Sequence, residues 1–361
     1  MVDDRTTADE AYGLACQGVG LLWRGDYHNA RQLLLAMGKR AERHAHKSGR
    51  KSGGIIPVGS AEAFHLHRQA RAQRARTLGA LLVELSEGYV LGLRRAPDVR
   101  QACLEAYGPS HDEPCVVSLR TLLGLIGAHE WRDRGIEISA LGARIHPHYG
   151  VFAPIRSEYL DLVATVPLPA LTTQLSVAFD IGTGTGVLAA VLARRGIQQV
   201  IATDLDPRAL ACARENVARL SLDTQVQVRE ADLFPEGFAA LAVCNPPWLP
   251  ARPSSHLERG IYDPDCRMLH GFLNGLPRHL AAGGEGWLIL SDLAEHLGLR
   301  SRAQLLQAFD GAELKVLGQH EIRPRHPKAH DASDPLHLAR AAEVTSLWRL
   351  GAHQTASQGG T

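Results

Sequence analysis

The sequence predicts an α/β protein in two parts: a mostly helical N-terminal domain over residues 1–135 and a doubly wound sheet domain over 136–361. Three observations carry this. The chain has 361 residues, more than one hydrophobic core usually fills, which points to about two domains. Before residue 135, Ala, Leu and Arg recur at three- and four-residue spacing, the period of an amphipathic helix. From residue 175 onward, short apolar runs alternate with helical stretches, and βαβ alternation implies a parallel sheet with helices on both faces.

Taken in order, residues 8–46 read as helix, with ARQLLLAMGKRAER showing the spacing most plainly. HKSGRKSGGIIPVGS is a Gly/Ser/Lys linker. Residues 60–107 have the same helical periodicity, with Ser60 as N-cap of a long amphipathic run through SAEAFHLHRQARAQRARTLGALLVELSEGYVLGL. IEISAL and ARIHPHYGVFAP, within 136–156, form an extended connector or hairpin, and Pro154 and Ser157 open a short helix through EYLDLVATV. After that, LSVAFDI, QQVIATD, TQVQVRE, FAALAVC and GEGWLILS are strands. GVLAAVLARRG, PRALACARENVARL (with Pro207 in its first turn), CRMLHGFLNGLPRHL and RAQLLQAF are helices. AELKVLGQHEI and EVTSLWRL are two strands in succession, expected as an antiparallel pair at one edge.

Composition excludes several classes. Hydrophobic residues at 45% and charged residues at 21% are values of a globular protein able to bury a core. A formal net charge of +1 rules out a polycation that coats nucleic acid, so any basic patch is local. The start MVDDRTTADE lacks the apolar core of a signal peptide, and no run of about 18 apolar residues offers a membrane span. The six cysteines contain no CxxC pair, which argues against a zinc site or a disulfide framework and for a cytoplasmic location. HAH at 44–46, HLH at 65–67 and HPH at 146–148 join no carboxylate or cysteine cluster, so these histidines read as solvated or core-edge residues and no metal is expected.

The first sheet-domain strand ends in Asp180-Ile181-Gly182-Thr183-Gly184-Thr185-Gly186. Glycines at a strand-to-helix turn let the backbone approach a ligand, because no Cβ intervenes. The spacing is GxGxG: Val187 stands where a dinucleotide fingerprint needs its third glycine, and no GK[ST] follows as a P-loop requires. The next strand ends at Asp204, about twenty residues on, where a carboxylate can accept both hydroxyls of a ribose. The third ends near Asp232, placed to accept from an adenine amino group, with Leu233 beside the ring. A glycine cradle for a small charged tail, a ribose carboxylate and an adenine carboxylate describe a nucleoside without pyrophosphate. S-adenosylmethionine fits that description, with Asp180, Gly182, Thr183, Gly184, Gly186, Asp204, Asp232, Leu233 and Asn245 as its candidate contacts.

DIGTGTG, the ATD ending at Asp204, ADLF and NPPW at 245–248 occur in that order, and residues from about 150 to 350 thereby resemble the class I methyltransferases of the small-domain group. That group includes glutamine methyltransferases of release factors and ribosomal proteins and amino methyltransferases of ribosomal RNA bases. YGVFAPIRSEYL is similar to the segment that precedes the domain in the glutamine enzymes, without its double-acid ending. The resemblance implies a Rossmann-like sheet of seven strands with a reversed last hairpin. The first 130 residues carry no such likeness.

NPPW explains itself through nitrogen chemistry. The lone pair of an amide or aryl-amine nitrogen is delocalised, and turning it toward a sulfonium methyl is easier when both N–H groups are held by acceptors. The side-chain oxygen of Asn245 is one acceptor; the resemblance implies the Pro246 carbonyl as the other. Pro246 and Pro247 remove backbone donors and stiffen the loop, so the acceptors are aimed before substrate arrives. Trp248 would stack on the planar group, an interaction worth about 1–3 kcal/mol for a base; the family's usual residue there is Tyr or Phe. Glu258 and Tyr262, in the long loop that follows, are candidates for lining the substrate pocket.

The expected activity is N-methylation of a planar sp² nitrogen. The substrate classes are an exocyclic amine of an RNA base, a protein glutamine amide, or a small planar metabolite; an S-adenosylmethionine-binding module without catalysis is the non-enzyme alternative. Lys39, Arg40, Arg43, Lys47, Arg50, Lys51, Arg68, Arg71, Arg74 and Arg76 make a basic stretch that suits a phosphate backbone, and the histidine-rich loop 323–340 adds another. The glutamine reading draws on VFAPIRSEYL and makes a translation protein the partner.

Overall fold

The computed structural model describes residues 1–51, 60–110, 113–155, 157–253, 257–325, 331 and 334–353, without the side chains of 45–51 and 257. Of the expected features, the centre of the Gly/Ser/Lys linker, the side chains of Lys47, Arg50 and Lys51, and residues 326–330, 332 and 333 of the basic loop lie outside the described residues. The chain divides into two compact units, one running to Asp133 and one from Arg134 onward.

In the first unit, helices α1 (Ala8–Cys16), α2 (Tyr27–Lys51), α3 (Ala61–Gly79), α4 (Arg100–Tyr107) and α5 (Leu119–Arg134) accompany a small sheet. Its strands are β1 (Leu21–Leu22), β2 (Leu81–Ser86), β3 (Val90–Leu91) and β4 (Cys115–Ser118), with β2 pairing to all three others. The expected long amphipathic helical run from Ser60 through VLGL is therefore corrected: the helix stops at Gly79, and LLVELS is a strand. The physical reason is visible in burial, since Leu81, Val83 and Leu85 are buried while the residues between them are not. That is period two, not 3.6. Asp26 caps α2 through the His28 N–H (2.9 Å) and accepts from Arg95 (2.7 and 2.8 Å) and Arg94 (3.2 Å). These cations hold its carboxyl well below the usual range.

The second unit opens with a hairpin, β5 (Ile136–Ile138) and β6 (Ala143–Ile145), and then α6 (Glu158–Thr165). The alternation follows as expected: β7 (Val177–Ile181), α7 (Val187–Arg194), β8 (Gln199–Asp204), α8 (Pro207–Arg219), β9 (Val226–Glu230), β10 (Ala239–Cys244), α9 (Arg267–His279), β11 (Leu280–Ser291), α10 (Leu293–His296), α11 (Arg302–Gly311), β12 (Leu314–Ile322), α12 (His337–Ala342) and β13 (Thr345–Ala352). Seven strands form one sheet in the order β12-β13-β11-β10-β7-β8-β9, parallel except for β13, which runs antiparallel to both neighbours. The reversed last hairpin is present, with β13 inserted inside the sheet and β12 at its edge.

Strand periodicity sorts the core into two layers. Ala178, Val200, Leu241, Val243 and Trp287 pack with α6, α7 and α8, while Phe179, Ile201, Ala242, Cys244 and Leu288 pack with α9 and α11. Alternate residues of β7 and β10 thus face opposite layers. By the same alternation Asp180 shares the α6 face with Val243, its partner across the β7–β10 ladder.

Helix α6 is anchored from outside itself. Arg195, just past α7, donates to the carbonyls of Val163 (2.6 Å) and Val166 (2.7 Å) and lies over the Trp287 ring. These carbonyls belong to the last turn of α6 and its C-cap, where a helix has no internal partners for them. Removing Arg195 strands two acceptors, and hydrogen bonds from a charged donor contribute about 1.5–3 kcal/mol each. We expect Arg195→Ala to lose about 2–4 kcal/mol of stability, read as a lowered midpoint in urea denaturation with unchanged slope.

Candidate active site

The ladder registers bring the motifs to one edge of the sheet. Ile181 is level with Thr203, Asp204 with Glu230, and Cys244 with Ile181. The glycine loop, Asp204, the Asp232 turn and NPPW therefore leave the carboxyl ends of adjacent strands together. β7 and β10 are also where strand order reverses, the crevice in which open α/β sheets bind ligands.

Gly182 and Gly186 both have positive φ, +70° and +80°, a region that L side chains avoid. A Cβ on Gly182 would overlap the end of the Met268 side chain, and one on Gly186 would press 3.2 Å from the Cα of Ala213 on α8. Over Gly184 (φ +56°) a Cβ would meet nothing within 4 Å, so the loop's middle has open space beside it. The loop is braced by Thr183 N–H to the Thr203 carbonyl (2.8 Å) and Gly184 N–H to Asp204 Oδ2 (3.0 Å).

Asp180 is completely buried. Its Oδ2 accepts from the Thr183 hydroxyl (2.6 Å) and the Ala189 N–H (3.0 Å), while Oδ1 is buried with no hydrogen-bond partner. Desolvation pushes this carboxyl up to about 6. A buried acceptor without a donor beside a glycine cradle is a place for a cationic ligand group. Asp204 also accepts the Asp206 N–H at 3.0 Å, and burial raises its carboxyl. Its two oxygens retain lone pairs for a diol. On these grounds the residues fit S-adenosylmethionine.

Asp232 differs from expectation: it is exposed and ion-paired with Arg267 at 3.0 Å, so an adenine would have to share that carboxylate. Such an exposed pair contributes at most about 1 kcal/mol and yields readily. Leu233 holds a left-handed backbone (φ +72°), and its carbonyl accepts from the Thr203 hydroxyl at 2.5 Å.

In NPPW, Pro246 is buried, and Asn245, Pro247 and Trp248 are partly buried. The Trp248 indole N–H donates to Asn245 Oδ1 at 2.9 Å, and its ring packs against both core layers. Leu249 pairs as an isolated bridge with Tyr262, through Leu249 N–H to the Ile261 carbonyl (3.1 Å) and Asp263 N–H to the Leu249 carbonyl (2.9 Å). Tyr262 is therefore brought beside NPPW, although its ring is buried. Glu258 supplies the backbone carbonyl that the Ile261 and Tyr262 N–H groups share.

Three residues that sequence reasoning missed join this edge. Tyr159, on α6, is buried and hydrogen-bonded to the Asn245 side chain. Asp263, buried, accepts from the Met268 N–H (3.0 and 3.1 Å) and the Leu269 N–H (3.1 Å), fixing the start of α9 against the glycine loop. Asn216 on α8 ties the connector to that loop: its Oδ1 accepts the His146 N–H (2.8 Å) and its Nδ2 donates to the Thr185 carbonyl (3.0 Å). The connector continues as His148 meets Glu215 at 2.7 Å, and Phe152 lies against Gly260. The HPH segment is thus engaged as a clamp along α8.

Residues 142–316 match the family model described as the methyltransferase small domain. That segment of the second unit is similar to the family over the stretch that holds the glycine loop, Asp204 and NPPW. Among curated relatives of this small domain, the chain is 33% identical over 171 residues to the release factor glutamine methyltransferase of Cereibacter sphaeroides, covering 43% of this chain and 60% of that one. It is 42% identical over 154 residues to the release factor glutamine methyltransferase of Deinococcus radiodurans (40% and 52%). It is 34% identical over 191 residues to the ribosomal protein L11 methyltransferase of Chelativorans sp. (53% and 57%). The chain thus spans between 52% and 60% of the length of these three relatives.

Within the second unit, the Asn216 clamp is open to test. Asn216→Ala leaves the Thr185 carbonyl and the His146 N–H without their side-chain partner in a buried site, at about 2–3 kcal/mol. We expect a lowered melting temperature and several-fold weaker S-adenosylmethionine binding, read by calorimetry.

Proposed function

We propose that the chain is an S-adenosylmethionine-dependent N-methyltransferase acting on a planar sp² nitrogen, with a glutamine side-chain amide of a translation protein as the favoured acceptor. The single observation that carries the reading is Asn245. Its amide oxygen, next to a rigid Pro-Pro pair, stands at the strand end level with the glycine loop. The names of the relatives, which are glutamine and ribosomal-protein methyltransferases, support the acceptor class.

Bound S-adenosylmethionine supplies an electrophilic methyl on sulfonium sulfur. The chain's own residues do the rest. Asn245 Oδ1 and the Pro246 carbonyl accept the two N–H groups of the substrate, which favours rotation of its nitrogen lone pair out of conjugation. Held this way, the nitrogen would face the methyl of a donor seated between the glycine loop and Asp204, and after accepting it would release its extra proton to water, so no strong base is required of the chain. Positioning is the main contribution. The first unit, joined before this domain, is the substrate-recognition part in this reading, and a cytoplasmic setting follows from a translation substrate.

An RNA base is the second reading, on the basic residues of α2 and α3. Arg40 is already paired with Asp9 and Arg74 with Glu42, which reduces the charge left for phosphate. Purified protein, tritiated S-adenosylmethionine and extract from cells lacking the gene separate these readings. Label removed by protease alone supports the glutamine amide. Label removed by ribonuclease assigns an RNA base, label passing a small-molecule filter assigns a metabolite, and no label in any fraction leaves only cofactor binding.

A further inference from the structure

The methyltransferase reading leaves one question at Asn245. A primary amide has an acceptor end and a donor end of nearly equal shape, and the torsion that exchanges them is broad and roughly two-fold. Presented oxygen-first, the amide accepts a substrate N–H. Presented nitrogen-first, it opposes that N–H with two of its own. Nothing in the NPP sequence decides between the two.

One neighbour decides it here and a second holds the other end. The indole Nε1–H of Trp248 is a donor and nothing else, so the Asn245 atom it meets at 2.9 Å is the oxygen. That leaves the amide nitrogen to donate to the hydroxyl oxygen of Tyr159, 4% exposed on α6. Tyr159 reaches Asn245 because the alternation of β7 and β10 puts Asp180 and Val243 on the face that α6 covers, and because Arg195 pins the end of α6. A Phe or Tyr ring at position 248 would offer the same stacking surface but no ring N–H. The indole is what this chain adds.

We propose that Tyr159 and Trp248 are positioning residues that lock the Asn245 amide in its oxygen-presenting orientation. The inference rests on the N-methyltransferase reading and goes a step further, to how the acceptor is aimed. Trp248 takes one of the two lone pairs of Oδ1. The other is left for one substrate N–H, and the Pro246 carbonyl takes the second. Tyr159 acts only through Asn245.

The test uses the full chain carrying Tyr159→Phe, Trp248→Phe, both together, or Asn245→Ala. Two quantities are read on each: the S-adenosylmethionine dissociation constant by calorimetry, and the rate of tritium transfer into the protein fraction of the extract at limiting and saturating extract. On the parent, Tyr159→Phe and Asn245→Ala, which keep the indole, the Trp248 N–H resonance is read as well in ¹⁵N-labelled protein. We expect Tyr159→Phe to bind S-adenosylmethionine within about threefold of the parent. One hydrogen bond of ordinary strength corresponds to about tenfold in rate. Tyr159→Phe is expected to lower the saturating rate about tenfold with the half-saturating extract concentration unchanged, and the double variant to fall about as far as Asn245→Ala. A Tyr159 that merely filled the core would shift the melting temperature and leave that rate alone. A Tyr159→Phe rate within twofold of the parent, with cofactor binding intact, overturns the proposal.

The resonance separates this failure from failure of the enzyme reading, because it needs no turnover. In Asn245→Ala the indole N–H is expected to move upfield and exchange faster. If the parent transfers no label but that change occurs, the lock stands and the activity assignment falls. If label is transferred while the resonance is the same with and without Asn245, the lock falls and the activity assignment stands.

Discussion

Asn245→Ala is expected to bind S-adenosylmethionine within a few-fold of the parent yet lose about a hundredfold or more in methyl transfer, the scale seen when one preorganised group facing developing charge is removed. The two halves of this result have separate causes. Binding depends on the glycine loop, Asp180 and Asp204, which hang on the ends of β7 and β8, and Asn245 braces none of them in the hydrogen bonding described. Transfer depends on accepting a substrate N–H as the nitrogen loses conjugation, and alanine offers no acceptor. The fold is expected to survive with a modest loss. The Trp248 N–H loses its partner, but the indole is only partly buried, so water can take the vacated bond at about 1 kcal/mol or less, while the buried Tyr159 hydroxyl loses its Asn245 partner at about 1–3 kcal/mol. Retained turnover by a folded Asn245→Ala protein would remove the residue from the chemistry.

The parts of this site that depend on local pattern were legible in the sequence. DIGTGTG reads as a turn that brings backbone close to a ligand because glycine has no Cβ, and the three glycines of that turn do take positive φ at the end of β7. Asp204 and NPPW were placed because parallel strands of similar length bring their carboxyl ends to a common edge. What was not legible depends on partners distant in the chain. Tyr159 sits in a helix whose apolar spacing marks it as core, and only the arrival of β10 beside β7 gives its hydroxyl a task. Asp232 looked free for an adenine because Arg267, 35 positions later, approaches it only after α9 has packed on the sheet. The strand at 81–86 reads as helix in the sequence because it follows an Ala/Arg-rich helix without a proline to divide them. Its alternating burial, set by pairing with β4, is a tertiary fact.

Asp180→Asn is expected to make the protein more stable and its cofactor binding weaker, with opposite dependence on pH. The carboxyl ionises near 6 in the fold, against 3.8 when unperturbed. Between those values the native state holds a proton that the unfolded chain has released, so stability falls as pH rises from about 4 to about 6 and stays low above. At about 1.4 kcal/mol per unit, the buried charge costs roughly 2–3 kcal/mol at neutral pH. Asparagine keeps an acceptor for Thr183 and Ala189 without that charge. Urea denaturation at pH 7.5 should therefore show the variant ahead of the parent, and the gap should close toward pH 4. A cationic ligand group facing the orphaned Oδ1 reverses the balance, since it stabilises the ionised form. Cofactor affinity of the parent should then strengthen as pH rises through about 6, with a proton released on binding below that point. In Asp180→Asn that pH dependence should vanish, and affinity at pH 7.5 should drop about 10- to 100-fold, the equivalent of one charge-assisted contact. Calorimetry in two buffers of different ionisation enthalpy reads the proton directly. An unchanged affinity in the variant would mean that Asp180 serves only to brace the glycine loop, and that the cofactor's charge is met elsewhere.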